Sequence, residues 1–337
     1  MMTERMVSIV VTCYRDAGSV RELLRRLRES MDVITPNWEV IYVNDDSPDD
    51  AEAVLIEAAR QEPRLTVISH ARNFGAQTAF TTGMRQARGE AVVIMDGDLQ
   101  DPPEMIGDFV AQWLAGHEVV YGIRAKRQEG WVRNVGYKVF YRILRKISYL
   151  DIPLDAGEFS LMDRVVVEAI LACPEQDRLI RGLRAYAGFR QVGIPFNRPP
   201  RHSGESTQSL IDYIMWVYKS FTSFSLAPLR FIIVTSFLMS ALLFFLIFYY
   251  LASWLHGGYA PPGYMTQLMV LLGVGTVIML SLGIIAEYLG RLFLEVKNRP
   301  QPIIRMLVND QRPEPVPWLG RSHDPLRRAT GDTRAQP

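Results

Sequence analysis

The sequence of 337 residues holds two cysteines, Cys13 and Cys173, with no CxxC pair and no Cys/His cluster. A disulfide framework and a zinc site are therefore not expected, and a reducing compartment fits. Charge of one sign is also lacking. With 37 Lys and Arg against 36 Asp and Glu, the net charge is +1, far from the basic surplus of a dedicated nucleic-acid binder. Two nucleotide-binding signatures are missing as well. The first strand-to-helix turn, Thr12-Cys13-Tyr14-Arg15-Asp16-Ala17-Gly18, contains no GxGxxG, and no GxxxxGK[ST] occurs anywhere. A dinucleotide-binding oxidoreductase and a P-loop enzyme are disfavoured accordingly. The N-terminus, Met-Met-Thr-Glu-Arg, lacks an apolar core and cleavage site, so no signal peptide is expected.

Charge disappears altogether over two stretches. Phe231 to Leu255 has no charged residue, and at about 1.5 Å per residue it can cross a hydrocarbon layer of about 30 Å with some tilt. A second such run starts near Gln267, reaches Ala286 and closes at Glu287-Tyr288-Leu289. Between them, His256-Gly257-Gly258-Tyr259-Ala260-Pro261-Pro262-Gly263 is a turn-rich break without Lys or Arg. Lys219 and Arg230 flank the first run, and Arg291, Lys297 and Arg299 flank the second. That asymmetry predicts a transmembrane hairpin over 229–290, with spans of about 231–255 and 267–289 and both termini cytoplasmic. Residues 291–337 are read as a cytoplasmic tail, disordered beyond about 310 from their Pro, Arg and Asp content. A bare two-helix anchor also leaves room for self-association into a homo-oligomer.

Residues 1–228 alternate apolar strand-like runs with helical patterns. Strands are expected at Arg5–Tyr14, Trp38–Asn44, Leu65–Ser69, Glu90–Met95 and His117–Gly122. Helices are expected at about 19–29, 49–60, 76–87 and 103–115. Near-continuous apolar strands between helices imply an α/β fold with a mostly parallel sheet covered on both faces. Ligands bind such sheets beyond the carboxyl ends of the strands.

Polar clusters fall at those ends. The second strand runs into Asn44-Asp45-Asp46-Ser47-Pro48-Asp49, whose acids can accept hydrogen bonds from a ribose or base, or simply cap the next helix. The fourth runs into Asp96-Gly97-Asp98-Leu99-Gln100-Asp101-Pro102-Pro103-Glu104. Two carboxylates at i and i+2 repel unless a cation or proton lies between them. Hard oxygen donors suit Mg²⁺ or Mn²⁺, which would bridge to a diphosphate leaving group. Farther on, Trp131 to Ile147 carries Val132, Val135, Val139, Ile143 and Ile147 among Arg133, Lys138, Arg142, Arg145 and Lys146. This pattern suits a helix lying at an anionic membrane surface, and 209–224 is a second candidate.

The ordered segments VTCYRD, VNDDSPDD, ARNFGAQTA, MDGDLQDPPE, YGIR, LDAGEFSLMDR and RHSGES, with the ending EYLGRLFLEVKNRP, closely resemble the family 2 polyprenyl-phosphate glycosyltransferases. The resemblance covers residues 6 to about 300 and implies a GT-A fold. It further implies inverting transfer of a sugar from a nucleotide-diphosphate sugar, with a UDP-linked donor favoured, to a polyprenyl phosphate such as undecaprenyl phosphate. The site would be the cytoplasmic face of the cell inner membrane. A GDP-mannose donor and a non-catalytic sugar-nucleotide scaffold are the alternatives.

Carried over by motif, Thr12, Tyr14, Asn44 and Asp45 line the nucleoside pocket, with Arg72 of ARNFG also on the donor side. Asp96, Asp98 and Gln100 would hold the metal and diphosphate. Arg124 would meet the acceptor phosphate, with Trp131 and Arg133 at the membrane. Asp155, Glu158 and Ser160 would lie near the sugar, and Arg201, Gly204, Glu205 and Ser206 would close over the diphosphate. Four motifs depart from the family pattern. Arg15-Asp16 stands where Asn-Glu is usual. Asn44 and Asp46 replace an Asp and a Gly, and Glu158 replaces an Asp. Thr207 replaces a Lys, leaving Arg201 or His202 as its substitute.

Overall fold

Strands β1 (Val7–Cys13), β2 (Trp38–Asn44) and β3 (Leu65–His70) are buried along their whole length. β4 (Ala91–Asp96) is buried up to its last residue. Their β-branched content suits a pleated surface covered on both faces. The computed structural model describes residues 3–124, 156–197, 227–256 and 263–312. The expected interfacial segments 131–147 and 209–224 lie outside these residues, as do 313–337.

β5 (Val119–Arg124), β6 (Ala156–Asp163), β7 (Gln191–Phe196) and β8 (Ile304–Val308) complete an eight-stranded sheet of order β7-β5-β6-β4-β1-β2-β3-β8. β1 pairs in parallel with β2 and β4, β2 with β3, and β5 with β7. β6 runs antiparallel to both β4 and β5, and β8 antiparallel to β3. The sheet is mostly parallel, as the sequence pattern predicts, with one antiparallel strand inserted and another at the edge.

Helices α1 (Val20–Met31), α2 (Ala51–Gln61) and α4 (Ile106–Leu114) accompany a core that contains Ile9, Val11, Tyr42, Met95 and Phe159. α1 buries Val20, Leu23, Leu27 and Met31 at helical spacing, while Arg25 on its outer face pairs with Glu22 and Glu29. A second core lies around α3 (Ala76–Gln86), α5 (Arg164–Ala172) and α6 (Ile180–Ala187), with Val10, Ile41 and Ile94 from the sheet. A Cβ on Gly83 of α3 would come within 2.2 Å of Val10 Cγ1. That contact sets how closely the helix lies on β1.

The residues after the apolar runs do not form a solvated tail throughout. β8 returns to the sheet, where Met306, Leu307 and Val308 are buried. Asn309, at φ 54°, donates its amide to the carbonyls of Ala59 (2.7 Å) and Leu65 (3.2 Å). Five residues in a Pro- and Arg-rich setting give little periodicity to read, and only pairing with β3 makes them a strand.

The described residues divide into two compact units, the sheet domain being one. The other holds α7 (Ala227–Leu255, 29 residues) and α8 (Tyr264–Lys297, 34 residues). Within α8, Gly273–Lys297 is long and apolar enough to cross a membrane, and Phe231–Leu246 of α7 is a shorter apolar stretch. Large apolar side chains such as Phe237, Phe244, Leu271 and Met279 point outward. α8 continues past the expected end at 289, because Leu292, Phe293 and Val296 extend the apolar surface. Arg291 also bonds Glu287 one turn back at 3.0 Å.

Leu307→Ala removes a buried side chain from the edge strand and is expected to destabilise the domain by about 2–5 kcal/mol. A thermal or denaturant midpoint reads this directly. An unchanged midpoint would mean that 304–308 behaves as a tail.

Candidate active site

The register brings the acidic motifs to one edge. Thr12 pairs with Asp96 on one side and Val43 on the other, and Cys13 pairs with Asn44. The last pair between β4 and β6 is Ile94 with Ser160. Asp96 lies two residues beyond Ile94, and Glu158 two residues before Ser160, so in an antiparallel pair both fall past the same end. Arg124 is the last residue of β5, opposite Phe196. The carboxyl edge of the parallel strands thus carries Arg124, Glu158, Asp96, Thr12 and Asn44 in spatial order.

The turn after β4 is folded tightly over β1. Gly97 N–H donates to the Thr12 carbonyl at 3.0 Å, and a Cβ on Gly97 would sit 2.6 Å from that oxygen. Only glycine fits there. The Thr12 hydroxyl reaches Asp96 Oδ1 at 3.5 Å. Asp101 is buried and accepts the Asp96 N–H at 3.2 Å. Asp98 is buried too, and its Oδ1 accepts the Gln100 N–H at 3.0 Å, with Leu99 between them at φ 62°. Beneath this turn the Tyr42 hydroxyl is fully buried and has no hydrogen-bond partner among the described residues. Burial, with the negative charge of Cys13, Asp16 and Asp98 when ionised, pushes its pKa well above the usual phenol value. The phenol therefore stays protonated.

Asp96 and Asp98 supply hard oxygen donors at a strand end. Among the described residues no three His, Cys, Asp or Glu side chains converge on one point. An all-protein cage is thus not present there. A pair of carboxylates does suit Mg²⁺ or Mn²⁺ when substrate phosphates and water complete the shell.

The β2 motif is largely occupied in shaping loops. Asn44 Oδ1 accepts the Ser47 N–H (3.0 Å), and Ser47 Oγ accepts the Arg15 N–H (2.7 Å). Asp49 accepts from Ala17 N–H (3.0 Å), Ser47 Oγ (2.5 Å) and Ala51 N–H (3.2 Å). Burial alone would raise the Asp49 pKa, but these hydrogen bonds outweigh it and hold the carboxyl below its ordinary range. Asp45 is buried with both oxygens engaged. Oδ1 meets His70 Nδ1 (2.7 Å) and Phe74 N–H (2.9 Å), and Oδ2 accepts the Gly75 N–H (2.7 Å). Asp45 thereby fixes the turn that carries Arg72, whose exposed guanidinium lies 5.3 Å from the Phe74 ring centroid. Tyr14 is exposed, with the Arg15 guanidinium 5.4 Å from its ring centroid. Cys13 is no nucleophile, because burial first, and then Asp16 and Asp49, push its thiol up to about 12.

Glu158 stands on β6, and Gln77 of α3 donates to its Oε1 at 3.0 Å. Gln77 lies in the segment ARNFGAQTA, but an amide inside a helix gives no sequence signal for such a bridge. Asp155, Trp131, Arg133, Arg201 and Ser206 lie outside the described residues.

Comparison with known proteins identifies the family. The family described as glycosyl transferase family 2 matches residues 8–171. The uncharacterized glycosyltransferase YkcC of Bacillus subtilis is 36% identical over 299 residues, 88% of this chain and 93% of that one. A second uncharacterized glycosyltransferase, from Synechocystis sp., is 36% identical over 295 residues, 87% of this chain and 93% of its own. A prophage-derived bactoprenol glucosyl transferase of Shigella flexneri is 30% identical over 302 residues, 89% of this chain and 97% of that one. With the motifs in order along the sequence and relatives matched nearly end to end, the chain belongs to glycosyl transferase family 2 and is a glycosyltransferase.

Proposed function

We propose that the protein transfers a sugar, with inversion, from a nucleotide-diphosphate sugar to a polyprenyl phosphate at a membrane face, with uridine the favoured base. The Asp96-Gly97-Asp98 turn, clamped on Thr12 and next to Glu158 at the strand ends, carries this reading. The near full-length similarity to a protein named bactoprenol glucosyl transferase supports the lipid acceptor. The apolar stretch Gly273–Lys297 supports a membrane location.

An acceptor phosphate monoester has a second pKa near about 6 and is mostly dianionic at neutral pH. One of its oxygens attacks the anomeric carbon as the bond to the donor diphosphate breaks, and the nucleoside diphosphate departs. No strong general base is required. The protein orients the two substrates and screens charge on the leaving group. Asp96, Asp98 and Gln100 would hold Mg²⁺ or Mn²⁺, which supplies Lewis-acid neutralisation of the diphosphate. Thr12, Tyr14, Asn44, Asp45 and Arg72 serve the donor side. Arg124, Trp131 and Arg133 serve the acceptor, Arg201 and Ser206 the diphosphate, and Asp155 and Glu158 the sugar.

Transfer of radiolabelled sugar from UDP- and GDP-linked donors into a lipid-extractable product tests the reading. Label is expected in polyprenyl phosphate, and its absence with every donor would refute the function. In the same assay Arg124→Ala is expected to raise the acceptor KM about ten- to hundredfold, from loss of a charge-assisted hydrogen bond of about 1.5–3 kcal/mol. Donor KM should stay nearly constant. Equal losses for both substrates would remove Arg124 from the acceptor site.

We also propose that 229–290 spans the membrane twice with both termini cytoplasmic, on the strength of the flanking Lys and Arg. A cysteine introduced at Gly258 should react with an impermeant thiol reagent only from the outside. Labelling solely from the cytoplasmic side would reverse the arrangement.

A further inference from the structure

On the α3/α6 side of the sheet, a small polar cluster interrupts an aliphatic layer. Gln77 of α3 donates to Glu158 Oε1 at 3.0 Å and accepts the Ile180 N–H, at the start of α6, at 2.8 Å. One turn farther along α6, Arg184 is fully buried, while neighbouring Ile180 and Leu183 belong to the apolar core. Its guanidinium lies over the Tyr121 ring of β5, 5.0 Å from the centroid. Nε, Nη1 and Nη2 of Arg184 have no hydrogen-bond partner among the described residues, and neither has Glu158 Oε2.

A guanidinium removed from water and left without hydrogen bonds is costly, and it persists only where opposite charge compensates it. Burial draws the Arg184 pKa down to about 10, opposed chiefly by the charge of Glu158, then by Tyr121, while Arg181 adds repulsion. Tyr121 beneath the guanidinium pairs with Ser160 of β6, two residues from Glu158, so Glu158 is the carboxylate of this cluster, without a direct hydrogen bond to Arg184. A Leu or Met would pack at position 184 without this penalty.

We propose that Arg184 is a positioning residue for sugar transfer, supplying from behind the sheet the positive charge that holds the Glu158 carboxylate in place. Gln77 ties the Glu158 carboxylate to the start of the helix that carries Arg184. The proposal rests on the reading that Glu158 works at the donor sugar.

A double-mutant cycle on the full-length protein tests it, with transfer kinetics and thermal melting as readouts. Arg184→Met is expected to lower kcat about tenfold or more with donor KM within about twofold, and Arg184→Lys to restore most of that loss. Introduced into Glu158→Gln, the same Arg184→Met change is expected to alter kcat less than about threefold. The double variant, with no stranded charge, should melt above Arg184→Met alone. Equal fold-losses in both backgrounds, an unaffected Arg184→Met, or a double variant that does not fold would each overturn the proposal. Wild-type kcat in Glu158→Gln would instead remove Glu158 from the reaction, and the proposal with it. An impaired Glu158→Gln without coupling removes Arg184 alone.

Discussion

Gly97 rests against the Thr12 carbonyl with no room for a side chain, and the rest of the site is arranged around that contact. It folds the end of β4 over the end of β1, so that Asp96 and Asp98 stand at the rim rather than trailing into a loop. Asp101 holds the turn from the far side through the Asp96 N–H. Leu99 takes a left-handed conformation that lets Asp98 accept from Gln100. The buried Tyr42 hydroxyl fills the space below without adding negative charge to the rim.

The acids around this edge have divided roles. Asp45, Asp49 and Asp101 accept backbone N–H groups and fix the loops, which is work a carboxylate does well because each charge-assisted bond is short and strong. Asp96, Asp98 and Glu158 lie at or near the carboxyl ends of the strands, where the proposed function puts the substrates. In a phosphate-to-sugar transfer both substrates are anionic, so a rim crowded with carboxylates needs positive charge placed deliberately. Among the described residues, Arg124 ends β5 at this edge and Arg72 lies in the β3–α3 turn, while Arg184 of α6 is buried on the α3/α6 side of the sheet.

Much of this was legible in the sequence. The five strands β1 to β5 and the four helices between them announce themselves through apolar runs and helical spacing, because each carries its own run or stripe of buried residues. The Asp96-Gly97-Asp98 turn was equally visible. What periodicity did not reveal depends on distant partners. β6 reads as a polar motif, LDAGEF, until it is inserted antiparallel between β4 and β5. β8 is five residues whose only reason to be a strand is β3, far earlier in the chain. The engagement of both Asp45 oxygens with the β3–α3 turn, and the orphaned guanidinium of Arg184, are facts of packing that no residue pattern encodes.

In the proposed function Asp98 is the point where the protein would meet the donor diphosphate through a divalent ion. Calorimetric titration of nucleoside diphosphate into the full-length protein, with and without Mn²⁺, tests this most directly. Wild-type protein is expected to bind at least about tenfold more tightly when the ion is present, and Asp98→Asn to lose that enhancement while its melting temperature stays near wild type. An equal enhancement by Mn²⁺ in both proteins would contradict the account.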